Sequence, residues 1–222
     1  MSWFLFTIKL QNIYIFKCIL LNMKRIILFI LVIIPFNVKA YSYIVMDTDN
    51  NRVLEGVNIH NKSLIASITK IMTSMVVINN SDLDKEITIK DEVLKSFGSG
   101  IYVSVGEKIT IRDLLYGLML RSGNDAAYSL AFNVGSSMEG FALLMNELGK
   151  NIGMNDTIFV NSSGLEDSYG ENYSTTYDMA LLSSYAIKND IYKKIVGTKE
   201  YTVKTNLKTY IWHNPRSRSK CF

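Results

Sequence analysis

The sequence is poor in the residues that most metal and redox sites require. Its two cysteines, Cys18 and Cys221, lie near opposite ends of the 222 residues, so the body between them holds no disulfide, C-x-x-C redox motif or cysteine-rich zinc site. The two histidines, His60 and His213, lie outside any H-E-x-x-H motif, which argues against a metal hydrolase. A Ser-His-Asp triad would need one of these histidines, and both are more simply loop or strand-edge residues. We therefore predict that the protein uses no metal and no cofactor.

An excess of positive charge is absent from the body of the chain. The formal net charge is +4, from 24 basic and 20 acidic residues. Residues 1–40 hold five of the basic residues and no acidic one, and the last eight residues hold three more, which leaves 16 basic against 20 acidic residues in 41–214. Nucleic-acid binding depends on clustered basic side chains, so we predict no nucleic-acid partner. A hydrophobic content of 48% indicates a globular protein.

Residues 23–40, MKRIILFILVIIPFNVKA, have the order of a secretory signal peptide. A basic start is followed by an apolar run over 26–36 and then by Val38-Lys39-Ala40, with cleavage expected after Ala40. The run has about half of the ~20 apolar residues needed to span a bilayer. We predict that residues 1–40 are a signal peptide whose true start is Met23, and that residues 1–22 are an upstream extension. The alternative is an uncleaved leader that keeps the protein on the membrane.

The expected location follows from this leader. An exported protein of this kind would act in the cell envelope or at the extracellular face of the cytoplasmic membrane.

The pattern of residues 41–214 predicts one domain of the α/β (α+β) class. Two β-rich runs, 41–47 and 52–59, are separated by a turn cluster and predict a hairpin. Helical periodicity then begins at Ser67, after Thr110, at Asp125, near Ser136 or Ser137, and at Thr175 or Thr176. Short β-leaning segments lie at 86–90 and 200–212. A two-stranded hairpin is marginal alone, so an antiparallel sheet would need further strands.

Ser67 and Lys70 open the first of these helices as an S-x-x-K pair. Residues three apart on a helix are neighbours, so the two side chains can touch. The dipole at a helix N-terminus would favour an oxyanion at Ser67. Lys70 could take the serine proton only when neutral, which requires burial and nearby charge to lower its pKa by roughly three from ~10.4. The apolar residues of the run are expected to face the core: Ile68, Ile71, Met72, Met75 and Val76.

A second S-x-x-K, formed by Ser217 and Lys220, lies in a polar tail. No apolar helix follows it, and we interpret it as a coincidence.

Ser122-Gly123-Asn124 is the only S-x-N in the sequence, and it lies on a sharp break between two predicted helices. A loop held by helices on both sides can direct a hydroxyl and an amide rigidly toward a cleft. The simpler interpretation is that Ser122 and Gly123 end one helix while Asn124 or Asp125 caps the next. Both interpretations can hold, because capping does not occupy every polar atom.

Four stretches of the sequence resemble, in order, the serine D-alanyl-D-alanine carboxypeptidases. These are the low-molecular-mass penicillin-binding proteins that trim peptidoglycan. The stretches are ASITKIMTSMVV, TIRDLLYGLMLRSGNDAAYSLA, GFALLMNELGKNIGMNDTIFVNSSGL and STTYDMALLSSYAI. The resemblance covers roughly residues 41–214 and implies a β-lactamase/transpeptidase-like fold, an antiparallel sheet with a helix-rich subdomain.

The resemblance also implies a role for each motif residue. Ser67 would be the acylated nucleophile and Lys70 its base, Ser122 would pass a proton to the leaving amine, and Asn124 would orient the substrate amide. The implied substrate is a peptidoglycan stem peptide that ends in D-Ala-D-Ala, and the implied inhibitors are β-lactams.

The sequence departs from this family in the third motif, a Lys-Thr-Gly on a strand that faces the serine. Neither K-T-G nor K-S-G occurs in the 222 residues. The K-T-N at 204–206 and the K-T-Y at 208–210 come before the expected place and lack the glycine that lets a substrate approach the backbone. We interpret residues 215–222 as an aberrant tail after a frameshift or premature end. The sheet is then expected to be incomplete, without its C-terminal strands, and the chain to have little or no activity.

Two other functions are left open by the sequence. A β-lactamase shares the Ser-x-x-Lys, but its usual Ser-Asp-Asn is Ser-Gly-Asn here, and no Glu-x-x-Leu-Asn follows. An inactive secreted fragment, which binds peptidoglycan or penicillin weakly or does not fold, would carry the same motifs. Acylation by a penicillin separates these possibilities, because only a formed site becomes acylated.

Overall fold

The computed structural model describes residues 41–215. The predicted leader, residues 1–40, and residues 216–222 of the predicted tail lie outside the described residues. The helices are α1 (Lys70–Asn80), α2 (Ile111–Arg121), α3 (Asn124–Gly135), α4 (Met138–Asn151), α5 (Thr176–Ile187) and α6 (Asp190–Gly197). The strands are β1 (Tyr43–Asp47), β2 (Arg52–Val57), β3 (Ser63–Leu64), β4 (Glu86–Thr88), β5 (Lys108–Thr110), β6 (Tyr173–Ser174), β7 (Glu200–Lys204) and β8 (Thr209–His213). Two 3-10 turns cover Ala66–Thr69 and Asp91–Lys95.

β1 and β2 form the predicted antiparallel hairpin, in a register that pairs Asp47 with Arg52. Short polar side chains build the turn between them. Asp47 Oδ1 accepts the N–H of Asp49, and Asn50 Oδ1 accepts the N–H of Arg52. Such bonds from the backbone to Asp and Asn side chains stabilise turns, which is why the turn cluster was a reliable signal.

Four helices begin at a residue whose side chain accepts the backbone N–H three positions on. These N-caps are Thr110 for α2, Ser137 for α4, Thr175 for α5 and Asn189 for α6. An N-cap of this kind satisfies a backbone donor that the helix itself leaves free. The first three starts are confirmed. α6 was not predicted, because its eight residues are too few to show a clear helical period.

α1 lies at the centre of the core, where it contacts each of the other five helices of the described chain. Its residues Met72, Met75 and Val76 are almost completely buried, as predicted. Ile68 was wrongly expected in the core, since its side chain is 53% exposed. It lies in the 3-10 turn before α1. Because a 3-10 turn has three residues per turn instead of 3.6, the side chain of Ile68 points away from the apolar face of the α-helix.

The strands of 41–215 form four separate two-stranded antiparallel ladders: β1–β2, β3–β6, β4–β5 and β7–β8. The prediction of a mixed α/β chain is confirmed. Within residues 41–215, no helix combines the length and the apolar character that crossing a membrane requires.

Aromatic stacking fixes the β7–β8 hairpin on α2. The rings of Tyr116 and Tyr201 stack with centroids 3.5 Å apart, and Trp212 stacks behind Tyr201 at 6.4 Å. The Tyr201 hydroxyl also donates to Asp113 Oδ1 at the start of α2. The hairpin therefore holds the helix whose far end leads into Ser122.

Candidate active site

Ser67 lies in the 3-10 turn that leads directly into α1, and its side chain is exposed. The residue before it, Ala66, has a φ of +43°, a left-handed conformation that is uncommon for a residue other than glycine. Backbone conformations of this kind are common at functional sites. The turn thus presents Ser67 outward while Thr69 and Lys70 point into the protein.

Gly164 keeps this turn in place from the other side. A Cβ at Gly164 would lie 1.8 Å from the carbonyl oxygen of Ala66 and 2.7 Å from Thr69 Oγ1. Its φ of +82° is also one that favours glycine. Only a residue without a side chain allows the loop at 161–165 to pack this closely on the turn that carries Ser67.

Lys70 is 3% exposed and connects the turn to this loop. Its Nζ donates to the Ser67 Oγ at 3.3 Å and to the backbone oxygen of Ser163 at 2.8 Å. Burial lowers the pKa of Lys70 to about 8, an effect that the negative charge of Asp125 partly opposes. With that pKa about a tenth of Lys70 is neutral at pH 7, against fewer than about one in a thousand for an ordinary lysine. The contact with Ser67 and the lowered pKa are the two conditions that a proton exchange between Lys70 and Ser67 would require.

Ser122 is the single residue between α2 and the N-cap of α3. It ends α2 in the left-handed conformation, with φ 55° and ψ 37°. This conformation turns the chain sharply, as the break in the sequence predicted. Gly123, rather than Asn124 or Asp125, is the N-cap of α3, and it makes no side-chain cap bond.

Ser67, Lys70 and Ser122 line one cleft of about 1180 Å³. Its walls come from β1, the start of α1, the end of α2, and faces of α5 and α6. The apolar part of the lining includes Ile44, Met46, Ile71, Met119, Met179 and Ile187. The structure therefore brings three of the four predicted site residues to one surface.

Asn124 is not among the residues that line this cleft. It is 4% exposed, its backbone N–H donates to Ser99 O at 2.8 Å, and its Nδ2 donates to Phe97 O at 2.6 Å. Its Oδ1 is buried and has no hydrogen-bond partner in the described part of the chain. The structure thus shows Asn124 as an anchor of the loop at 97–99, and its role toward a substrate stays a prediction.

Buried amides support the turn and were missed by sequence reasoning. Asn172 Nδ2 donates to Thr69 Oγ1 at 3.0 Å, and its Oδ1 accepts the backbone N–H groups of Val160 and Asn161. Thr73 on α1 donates to the backbone oxygen of Ser162 at 2.7 Å. The sequence marked Asn161-Ser162-Ser163-Gly164 only as a loop, and no local signal placed it against α1.

The two K-T segments and the two histidines considered in the sequence lie outside the cleft that Ser67, Lys70 and Ser122 line. Thr205, in the turn of the β7–β8 hairpin, donates to Glu107 Oε1, and neither K-T segment lines the cleft. His213 pairs with Glu200 at 3.1 Å on the edge of the hairpin, and the His60 ring packs on Tyr177. No group of three or more His, Cys, Asp or Glu side chains that could hold a metal occurs in 41–215.

A serine with a buried lysine one turn on, and a second serine in the same cleft, form an arrangement of the kind found in acyl-transfer sites in which lysine replaces the histidine of a triad. The family model described as D-alanyl-D-alanine carboxypeptidase matches residues 32–219. The chain belongs to this family.

Relatives and solved structures agree with this assignment. The chain is 41% identical over 155 residues to a D-alanyl-D-alanine carboxypeptidase of Streptomyces sp. strain K15, covering 64% of this chain and 53% of the relative. It is 32% identical over 180 residues to DacF of Bacillus subtilis strain 168, covering 78% of this chain and 46% of the relative. It therefore spans about half the length of these curated relatives.

Among solved structures, a variant of the Streptomyces K15 DD-transpeptidase superposes with a TM-score of 0.72 at 35% identity, over 78% of this chain and 73% of that one. A D-alanyl-D-alanine carboxypeptidase from Mycobacterium tuberculosis H37Rv gives a TM-score of 0.75 at 26% identity, over 78% of this chain and 66% of that one. The β-lactamase/transpeptidase-like fold expected from the sequence is confirmed by these neighbours.

Proposed function

We propose that this chain carries the acylating site of a serine D-alanyl-D-alanine carboxypeptidase that removes the terminal D-Ala from peptidoglycan stem peptides. The observation that carries the proposal is the contact between Lys70 Nζ and Ser67 Oγ, in a cleft that Ser122 shares. A lysine with a pKa of about 8 can act as a general base near neutral pH.

The proposed reaction begins with the transfer of the Ser67 proton to neutral Lys70. Ser67 Oγ attacks the carbonyl carbon of the penultimate D-Ala, and the oxyanion forms near the positive end of α1. Ser122 passes a proton to the leaving D-Ala amine as the peptide C–N bond breaks, and it regains a proton from Lys70, which becomes neutral again. Lys70 then takes a proton from the water that attacks the ester on Ser67 and returns it to Ser67 Oγ as the ester C–O bond breaks and the stem peptide, shortened by one D-Ala, is released. β-lactams would inhibit by forming the same kind of ester without rapid release.

The K-T-G motif does not occur in these 222 residues, and a chain without it would react more slowly. Its lysine would bind the terminal carboxylate of the substrate, and a charge-assisted contact of this kind contributes about 1.5–3 kcal/mol. Its strand would supply a second oxyanion donor, for which the loss is about 2.7–4 kcal/mol. Together these amount to a factor of roughly 10³–10⁵ in rate. We propose that the 222-residue chain acylates slowly and turns over little substrate.

We further propose that the protein is exported by residues 23–40 and acts in the cell envelope. A basic start followed by an apolar run is what a secretion pathway recognises. Peptidoglycan, the proposed substrate, lies outside the cytoplasm, so the leader and the site support the same location. A leader that is not cleaved would keep the protein on the membrane.

Acylation by a fluorescent penicillin tests the proposed function. The full chain, incubated at high concentration for hours, should acquire one acyl group, located by mass spectrometry on the peptide that contains Ser67. Ser67→Ala should abolish the label. Ser217→Ala, in the second S-x-x-K, is the matched control and should keep it. Equal labelling of Ser67→Ala would place the nucleophile elsewhere, and no acylation of any form of the chain would refute the proposal.

A further inference from the structure

The cleft that holds Ser67 and Ser122 is lined by basic side chains and not by acidic ones. Among the described residues that line it, the charged ones are Lys70 and Arg121, and no aspartate or glutamate is found there. In the body of the chain, 41–214, acidic residues outnumber basic ones by 20 to 16. A cleft whose walls carry one sign of charge concentrates ligands of the opposite sign, so this cleft favours an anion.

Of the two cations, Arg121 is the one that has donors left for a ligand. Lys70 is 3% exposed, and its Nζ already donates to two oxygen atoms of the protein. Arg121 is exposed, and within residues 41–215 it has no ion pair and no side-chain hydrogen bond. Arg112, near the other end of α2, differs because its guanidinium donates to both carboxylate oxygens of Asp84, at 2.8 and 3.1 Å.

The place of Arg121 in the chain indicates which part of a substrate it would meet. Arg121 is the last residue of α2 and directly precedes Ser122, so their α-carbons are about 3.8 Å apart, and both residues line the cleft. In the proposed reaction, Ser122 gives its proton to the amine of the leaving D-Ala. The carboxylate of that D-Ala is separated from the amine by a single carbon atom. A cation beside Ser122 is therefore beside the end of the substrate that carries the terminal carboxylate.

We propose that Arg121 binds the terminal carboxylate of the substrate and thereby selects ligands with a free carboxylate at this end. The inference rests on the proposed function, because Ser122 marks the leaving end only if it protonates the leaving amine. A planar guanidinium presents parallel N–H donors that match the two oxygens of a carboxylate. Arg121 thus supplies a carboxylate contact in a sequence that contains no K-T-G lysine to make it.

Arg121 also has an effect on α2 that has to be separated from binding. A cation in the last turn of a helix interacts favourably with the helix dipole. This interaction is the same for every ligand, whereas a contact with a carboxylate exists only when the ligand is an anion. A comparison of an anionic ligand with its neutral derivative therefore distinguishes the two effects.

The test compares acylation of Ser67 by benzylpenicillin, which has a free carboxylate, with acylation by its methyl ester, which has none. Labelling of the full chain is followed by intact mass, and each rate is divided by that of the unmodified chain with the same compound. Arg121→Gln should slow labelling by benzylpenicillin about five- to tenfold, an effect between those of an exposed ion pair and a buried charge-assisted bond. Labelling by the ester should stay within about twofold. Arg121→Lys keeps the charge without the planar fork, so its rate with benzylpenicillin should be intermediate.

Arg52→Gln is the matched control, because Arg52 is exposed on β2 and does not line the cleft. It should leave both rates unchanged. Unchanged rates in Arg121→Gln, or equal slowing with both compounds, would overturn the proposal. The same selective slowing in Arg52→Gln would also overturn it, because the net charge and not the position of Arg121 would then be the cause. If Arg121→Gln does not fold, Arg121→Ala is measured instead, and failure of both to fold would refute a role in binding.

The outcomes distinguish this inference from the proposed function. If Ser67 is acylated but Arg121→Gln does not discriminate between the two compounds, the function stands and the role of Arg121 is refuted. If penicillin never acylates Ser67, the proposed function fails, and an NMR titration of the full chain with acetyl-D-Ala-D-Ala and with its C-terminal amide decides about Arg121. The acid should then bind about five- to tenfold more tightly than the amide, and Arg121→Gln should remove the difference. Equal affinities of the unmodified chain for acid and amide would refute the inference.

Discussion

Lys70 connects two parts of the site, because its Nζ donates to the Ser67 hydroxyl and to the Ser163 carbonyl, and burial lowers its pKa to about 8. We expect the rate of Ser67 acylation to rise with pH through about 8, because only neutral Lys70 can take the serine proton. Lys70→Arg should lower the rate at least ~10²-fold at every pH, because arginine stays protonated. The measurement is the pseudo-first-order rate of penicillin labelling between pH 6 and 9.5. A rate independent of pH over that range would contradict the assignment of Lys70 as base.

Gly164 gives a second prediction at the scale of the residue. Gly164→Ala would force a methyl group into the Ala66 carbonyl and into a φ of +82°, so it should displace Ser67. We expect about 1–3 kcal/mol of lost stability and at least a tenfold slower labelling. Gly197→Ala is the control, because nothing lies within 4 Å of a Cβ there. Thermal melts and labelling rates check both variants, and normal labelling of Gly164→Ala would show that the turn tolerates displacement.

The separation of contacts along the chain explains which site residues could be predicted. Ser67 and Lys70 are three residues apart, so helical spacing alone brought them together. The Ser163 carbonyl lies 93 positions from Lys70, and Asp125 holds backbone groups 22 to 24 positions away. No local pattern specifies such pairs, because they follow from how the elements pack.

At the scale of the element, local signals were sufficient where a cap or turn defines the boundary. The polar turn of the β1–β2 hairpin and the Thr110, Ser137 and Thr175 caps all formed where the sequence placed them. The prediction that Ile68 lies in the core was wrong because the first turn of the predicted helix is a 3-10 turn. The spacing of apolar residues does not distinguish a 3-10 turn from an α-helical one. α6 was not predicted because its eight residues are too few to show a helical period.

The loop that supports the Ser67 turn gives a prediction at this scale. Asn172→Ala would leave the partly buried N–H of Val160 and the buried N–H of Asn161 without this acceptor and remove the bond to Thr69. Each buried donor left unsatisfied costs about 1–3 kcal/mol, so the free energy of unfolding should fall by about 2–4 kcal/mol. Asn155→Ala, at an exposed position before the same loop, should change it by less than about 0.5 kcal/mol. Urea unfolding of both variants is the measurement. Equal free energies of unfolding for Asn172→Ala and Asn155→Ala would show that the Asn172 side chain does not stabilise the turn that carries Ser67.

At the scale of the whole molecule, the leader and the site make a joint prediction about location. Deletion of residues 23–40 should retain the protein in the cytoplasm, whereas deletion of residues 1–22 should leave export unchanged. N-terminal sequencing of exported protein should begin at Tyr41. An exported chain that still carries residues 23–40 would instead identify the leader as an anchor. Cytoplasmic protein with an intact Met1 would refute export.

The stack of Tyr116, Tyr201 and Trp212 also makes tryptophan fluorescence a measure of the docking of the β7–β8 hairpin on α2. The sequence has two tryptophans, Trp3 and Trp212, and cleavage after Ala40 would leave Trp212 as the sole indole. That indole is 4% exposed, stacks on Tyr201 of the hairpin and lies against Gly117 of α2, so its emission depends on whether the hairpin is docked. α2 leads into Ser122, and its end lines the cleft. The intrinsic fluorescence of the processed chain would therefore detect a displacement of this helix without any added label.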